Sequence, residues 1–203
     1  MGRPAKFDRD EAVETVMEEI WRTGFARSSV KALSQKLGIT RSSFYNAFGS
    51  REALFAKALE RYFTQSPDRP LGEAGPQTPL KPLMTNVFRE ICRHRAKDPD
   101  GRGCLVVNGV ADLCPAHEAL GAMVAEALLG SLARIRQLLG WARARGELAP
   151  DTDIDALALA VQNLMAGLSL ISKVVQDEDQ LWRSTRLTLA GLGLYAETND
   201  AIL

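Results

Sequence analysis

The chain has 203 residues, 46% hydrophobic and 25% charged, with 25 Lys/Arg against 25 Asp/Glu. That fits one large or two small globular domains with a sizeable core, and three cysteines without framework spacing exclude a disulfide scaffold. Zero net charge argues on its face against nucleic acid, but residues 1–65 hold 11 Lys/Arg against 8 Asp/Glu and residues 66–203 hold 14 against 17, a basic head joined to an acidic body.

The first helix is expected over residues 9–23, with Ala12, Val13, Val16, Ile20 and Trp21 as its apolar stripe and Gly24 as its stop. Val30, Leu33 and Leu37 then recur at i, i+3 and i+7, with Ser28 or Ser29 as cap and Gly38 after the stripe. Ile39 is the buried residue of the turn. Thr40 caps a third helix that runs only to about Ala47, and Phe44 and Phe48 can anchor its inner face. At about 1.5 Å per residue that helix is roughly as long as the B-form major groove is wide. Arg41, Ser42, Ser43, Tyr45 and Asn46 are left pointing outward. Arg can pair with guanine, Asn with adenine, and hydroxyls with phosphate or base edges. Two short helices meeting at a glycine, the second small, polar and aromatic, form the pattern of a DNA-reading helix-turn-helix. Ser50 caps a fourth helix over residues 51–64, where Glu52 suits the dipole and Arg51 is a cost that a phosphate would repay.

Residues 66–79 hold Pro67, Pro70, Pro76 and Pro79 with Gly72 and Gly75, and are expected to form a loop without regular helix. Helices follow at about 82–96, 104–113, 115–145, 155–175 and 180–197, about nine in all, giving an all-α chain. Four parts are expected: a DNA-binding head over 1–50, a connecting helix over 51–65, the loop over 66–80, and a ligand-binding and dimerisation body over 81–203. The last two helices are apolar over a wide arc and rich in small residues, so they need cover on more than one side. A second subunit packed as a four-helix bundle supplies it, through Ala166, Gly167, Leu170, Leu187, Gly191 and Leu194. A monomer with a fully internal helix pair is the other solution.

Phe88, Cys104, Asn108, Met123, Met165 and Leu168 are candidate lining residues for an effector pocket. Cys104, near a helix start with Arg102 close by, is placed where a thiol pKa falls. The plainer reading makes Cys104 a small core hydrophobe and Asn108 a satisfied polar residue. Cys114 and His117 have metal-like spacing but lack a second pair. Asp151, Asp153 and Asp155 read better as a helix cap than as a calcium loop. No cofactor, metal or enzyme chemistry is expected. The N-terminus has no apolar leader, and the longest apolar run, Leu157–Ile171, is broken by Gln162, Asn163 and Ser169, so a cytoplasmic location without a membrane span is expected.

The arm Gly2-Arg3-Pro4, the first helix ending Trp21-Arg22-Thr23-Gly24-Phe25, the run Val30 to Ile39, the run Ser43 to Phe48 and Ser50 to Leu54 together resemble the TetR family of bacterial transcription regulators. The resemblance is detailed over residues 7–60 and one of helical layout beyond. Ser34 stands where the family most often has Ala, and Asn46 where it often has His. Membership implies a dimeric regulator of a palindromic double-stranded DNA operator, released by a small-molecule effector. Arg3 and Lys6 would follow the backbone or minor groove, Arg41 to Asn46 would read bases, and Tyr45 and Arg51 would hold phosphates, with Ser29, Lys31 and Thr40 beside them. The Gly103-Cys104-Leu105-x-x-Asn108 stretch resembles a branch of the family in which some members answer electrophiles. An activator, or a regulator worked by a protein partner, fits the same residues; a helical enzyme with a coincidental motif is the remote third reading.

Overall fold

The computed structural model describes residues 8–197. Among the described residues the chain is all helical, with ten α-helices, one 3-10 turn and no strand. They form two compact units. One runs to Ser66 and includes Leu105–Glu126; the other holds Pro67–Cys104 and the chain from Ala127 onward.

In the first unit, α1 (Arg9–Thr23) starts where the Asp8 carboxylate accepts the Asp10 and Glu11 amides, at 2.8 and 3.2 Å. Its buried stripe is Ala12, Val13, Val16, Met17, Ile20 and Trp21. Gly24, at φ 80°, ends it in a backbone conformation that a side chain would strain. A 3-10 turn at Phe25–Arg27 leads to α2 (Val30–Lys36) and α3 (Arg41–Phe48). The fourth helix, α4 (Arg51–Gln65), packs on α1 through Trp21 against Tyr62, edge to face at 5.0 Å. Arg61 and Gln65 both donate to Glu14 across that pair, at 2.5 and 2.9 Å. The same unit holds α7 (Leu105–Leu113) and the first turns of α8 (Glu118–Ala144). A Cβ on Gly109 would stand 2.9 Å from Val124, so this glycine permits the close approach of α7 to α8.

In the second unit, α5 (Arg69–Glu73) is a single helical turn inside the stretch expected to hold no helix. Pro70 lies in its first turn, where a proline loses no intrahelical bond, so the proline density did not forbid it. α6 (Leu80–Ala96) likewise begins two residues ahead of its expected start at Pro82. It packs on α10 (Glu178–Gly191), and with the later turns of α8 and with α9 (Ile154–Ile171) encloses a core that includes Met84, Phe88, Ile135, Leu139, Val161 and Leu189. α10 stops short of the expected residue 197 because Gly193 turns the chain at φ 70°. On α7 Ala111 and Asp112 are exposed, while Leu105, Val106, Gly109 and Leu113 are buried.

Ser34 on α2 is 3% exposed, and its hydroxyl has no hydrogen-bond partner among the described residues. An unsatisfied buried hydroxyl costs about 1–3 kcal/mol. Ser34→Ala is expected to stabilise the protein by about 1 kcal/mol in a denaturant titration; destabilisation of that size would show that the hydroxyl is satisfied.

Candidate nucleic-acid interface

The second helix of the motif is fixed from below and left open above. Phe44 is fully buried and Phe48 is 5% exposed, their rings edge to face at 5.4 Å. Thr40 Oγ1 accepts the Ser43 amide at 3.1 Å, which caps α3, and lies 2.9 Å from both the Ser42 and the Ser43 hydroxyls. Gly49, at φ 76°, ends the helix after eight residues. Of the two serines that could cap α2, Ser29 does so, accepting the Ala32 amide at 3.2 Å. Ser28 is buried and donates to the Gly24 carbonyl at 3.0 Å.

Ser29, Lys31, Thr40, Arg41, Ser42, Ser43, Tyr45 and Asn46 are all exposed, Tyr45 at 52%. They lie on or just before α2 and α3, so one short segment carries all eight exposed polar side chains. Arg51 is half-buried. Its guanidinium lies 4.0 Å over the Phe25 ring and 3.7 Å from Glu52, so the cost expected of a cation at a helix start is met inside the protein. Arg3 and Lys6 lie outside the described residues.

Glu19 accepts from Lys36 at 2.6 Å and from Arg22 at 2.8 Å, tying α1 to α2. Those two bonds, Lys36 first, hold its carboxyl below the ordinary carboxylate value against the opposing effect of burial. His117, which the sequence places beside Cys114, has its contacts in the head. It accepts the Leu120 amide on Nδ1 at 3.3 Å, places its ring edge to face with Phe25 at 6.0 Å, and brings Nε2 to 3.9 Å from Glu52. No local pattern could have shown this, because residues 92 positions apart in the chain make the contact.

The proposed effector residues divide. Asn108 and Met123 are half-buried in the first unit; Phe88 and Leu168 are buried in the second, with Cys104 and Met165 half-buried there. The surface depressions lined by Asp10, Lys57 and Arg61 and by Ala116 to Ala122 involve none of them. Cys104 immediately precedes α7, but its amide donates to Ser169 Oγ at 2.7 Å. Arg102, expected to activate its thiol, is bound to Asp98 at 3.1 Å, which offsets that charge. Burial pushes the Cys92 thiol up, against the weaker opposing effect of its hydrogen bond with Thr185. Cys114 is the exposed thiol.

A short helix anchored by two phenylalanines, capped at one end and bare on its outer face, defines the class: a helix-turn-helix DNA-binding regulator. The family description "Bacterial regulatory proteins, tetR family" matches residues 13–58, and "Tetracyclin repressor-like, C-terminal domain" matches residues 82–188. The chain belongs to the TetR family of transcription regulators. It is 23% identical over 189 residues to the transcriptional repressor ComR of Escherichia coli, covering 93% of this chain and 90% of that protein. It is 26% identical over 201 residues to the uncharacterised regulator YezE of Bacillus subtilis, covering 95% and 100%. Among solved structures, a cysteine mutant of the TetR family regulator CifR, complexed with 26-bp double-strand operator DNA, matches at TM-score 0.81 and 30% identity, covering 93% of this chain and 98% of that one.

The thiol environments order reactivity. Brief maleimide treatment at neutral pH is expected to label Cys114 and Cys104 and to spare Cys92, read by peptide mass mapping. Labelling of Cys92 in the native protein would contradict its burial.

Proposed function

We propose that the chain is a transcriptional repressor which binds a palindromic operator as a homodimer in the cytoplasm and is released by a small-molecule effector. The observation that carries this reading is the outward polar face of α3, held by Phe44 and Phe48. Residues 1–50 form the DNA-binding part, α4 connects it, and residues 81–203 hold the effector and dimer functions. Arg41 and Asn46 read base edges, Ser42, Ser43 and Tyr45 contact bases or phosphates, and Ser29, Lys31, Thr40 and Arg51 hold the backbone. ComR is named a repressor and CifR is seen on operator DNA, which supports the same role here.

The dimer rests on an unpartnered apolar face. Leu159, Leu170 and Ile171 on α9, Val174 beyond it and Leu187 on α10 are 48–78% exposed. α9 is long and apolar enough to cross a membrane by length and composition, at mean hydropathy 1.6, with only 28% of its residues buried. Cover by a second copy accounts for that surface, with Ala166, Gly167 and Gly191 allowing close helix approach. Leu194, grouped with them from the sequence, is fully buried in its own unit and packs there instead. Effector binding in the body, by a reversible ligand or an electrophile, shifts the separation of two reading helices that must lie about 34–36 Å apart or a multiple of that. The effect requires only unequal affinity for the two states.

Arg41→Ala is expected to weaken binding to a palindrome selected by the wild type by about 1–3 kcal/mol and to relax one base preference. Arg51→Ala should weaken all sequences alike and flatten the salt dependence. Unchanged binding in both would remove α3 from the interface. Gly191→Glu places a charge in the proposed dimer face and should give monomers in light scattering; a wild-type monomer at micromolar concentration would overturn the dimer.

A further inference from the structure

The segment from Pro67 to Pro79 continues directly from α4, the last helix of the head. Its prolines and glycines read as a slack connector. Instead, two arginines bind it by its carbonyls. Arg134 of α8 donates from Nε to the Leu71 carbonyl at 2.8 Å and from Nη2 to those of Gly72, at 3.1 Å, and Ala74. Its guanidinium is itself held, 5.1 Å from the Trp141 ring and bonded to Gln137. Arg145, one residue past α8, donates to the carbonyls of Pro76 and Thr78, the latter at 2.8 Å. Five carbonyls, of Leu71, Gly72, Ala74, Pro76 and Thr78, are thus met by two side chains.

Three further contacts close the segment. Leu71 is 4% exposed and joins the core of the second unit. Gly75 and Thr78 form a turn through the Thr78 amide to the Gly75 carbonyl at 3.1 Å and the Gly75 amide to Thr78 Oγ1 at 3.0 Å. Glu147 pairs with Arg145 at 2.6 Å and accepts the first amide of α6, Leu80, at 2.7 Å. Burial pushes the Glu147 carboxyl up, but the Leu80 and Arg145 bonds outweigh it and hold it below the ordinary carboxylate value.

We infer that Arg134 and Arg145 are positioning residues for DNA recognition: they turn the Pro/Gly-rich segment that follows α4 in the chain into a taut strap. This deepens the reading of the chain as a dimeric operator-binding regulator. Fixing a residue's backbone in one conformation costs entropy. The strap meets that cost on folding, so it does not fall on DNA binding, where a slack segment would have to be ordered as both heads engage. A guanidinium is suited to the task because its donors lie in a rigid fork that spans several carbonyls; a lysine is a point charge on a flexible stem.

The test uses the full chain and a palindrome selected from random duplexes by the wild type, together with its single half-site and versions whose half-sites are moved by one or two base pairs. The variants are the double substitution Arg134→Gln with Arg145→Gln, and a separate insertion of two glycines between Ser66 and Pro67 that adds slack while leaving both arginines in place. A non-specific protease is expected to cut residues 67–79 in the double variant and not in the wild type. Half-site affinity should stay within twofold in both variants. Palindrome affinity should fall tenfold or more, and the preference for one spacing should flatten. Cutting without any change in palindrome affinity or spacing would leave the strap purely structural and overturn the inference. So would continued protection of the segment, or an equal loss on half-site and palindrome. Failure of the wild type to bind any duplex would overturn the regulator reading instead.

Discussion

Burial of two phenylalanine rings beneath an eight-residue helix is the constraint on which the function depends. α3 is too short to persist alone in water, since isolated helices need about 12–15 residues to be even marginally stable. Phe44 and Phe48 hold it against the head, and Thr40 supplies its cap. Truncating a buried Phe to Ala costs about 3–5 kcal/mol. Because the anchors sit four apart, they fix the rotation of the helix as well as its place, and Arg41, Ser42, Tyr45 and Asn46 are left in solvent.

Both units set some cations in ion pairs and leave others in solvent. In the first, Lys31 and Arg41 are exposed on the motif. In the second, Arg134 and Arg145 serve loop carbonyls, Arg95 donates to the Gly103 carbonyl, and Arg102 is bound to Asp98. The basic excess of residues 1–65, 11 Lys/Arg against 8 Asp/Glu, is balanced by the acidic excess of residues 66–203, 17 Asp/Glu against 14 Lys/Arg, which gives a basic reader on a chain of zero net charge. The loop before α7 is fixed as firmly as the strap: Asp98 accepts the Arg102 amide at 2.7 Å, and Gly103, at φ 69°, would place a Cβ 2.6 Å from the Ser169 carbonyl. A side chain at Gly103 would force that loop away from α9.

The helix-turn-helix was legible because its signals are local. A cap, a glycine and a four-residue aromatic spacing each lie within one turn of the helix they define, and the outward set Arg41 to Asn46 follows by subtraction. The all-helical class and most helix positions followed from apolar periodicity. Long-range partners were not legible. Residues 66–79 read as slack because nothing local shows that Arg134, some sixty positions later, holds the carbonyls of Gly72 and Ala74. Arg102 read as an activator of Cys104 because its bond to Asp98, although only four positions away, was overlooked. Leu194 read as an interface residue because α10 was extended through Gly193, where the backbone turns and carries Leu194 into the core.

Hydrogen exchange with and without the selected operator tests the central claim most directly. Slowed exchange at the amides of residues 40–51, with α6 unchanged, is the result the account predicts. A complex that forms while residues 40–51 exchange as in the free protein would contradict it.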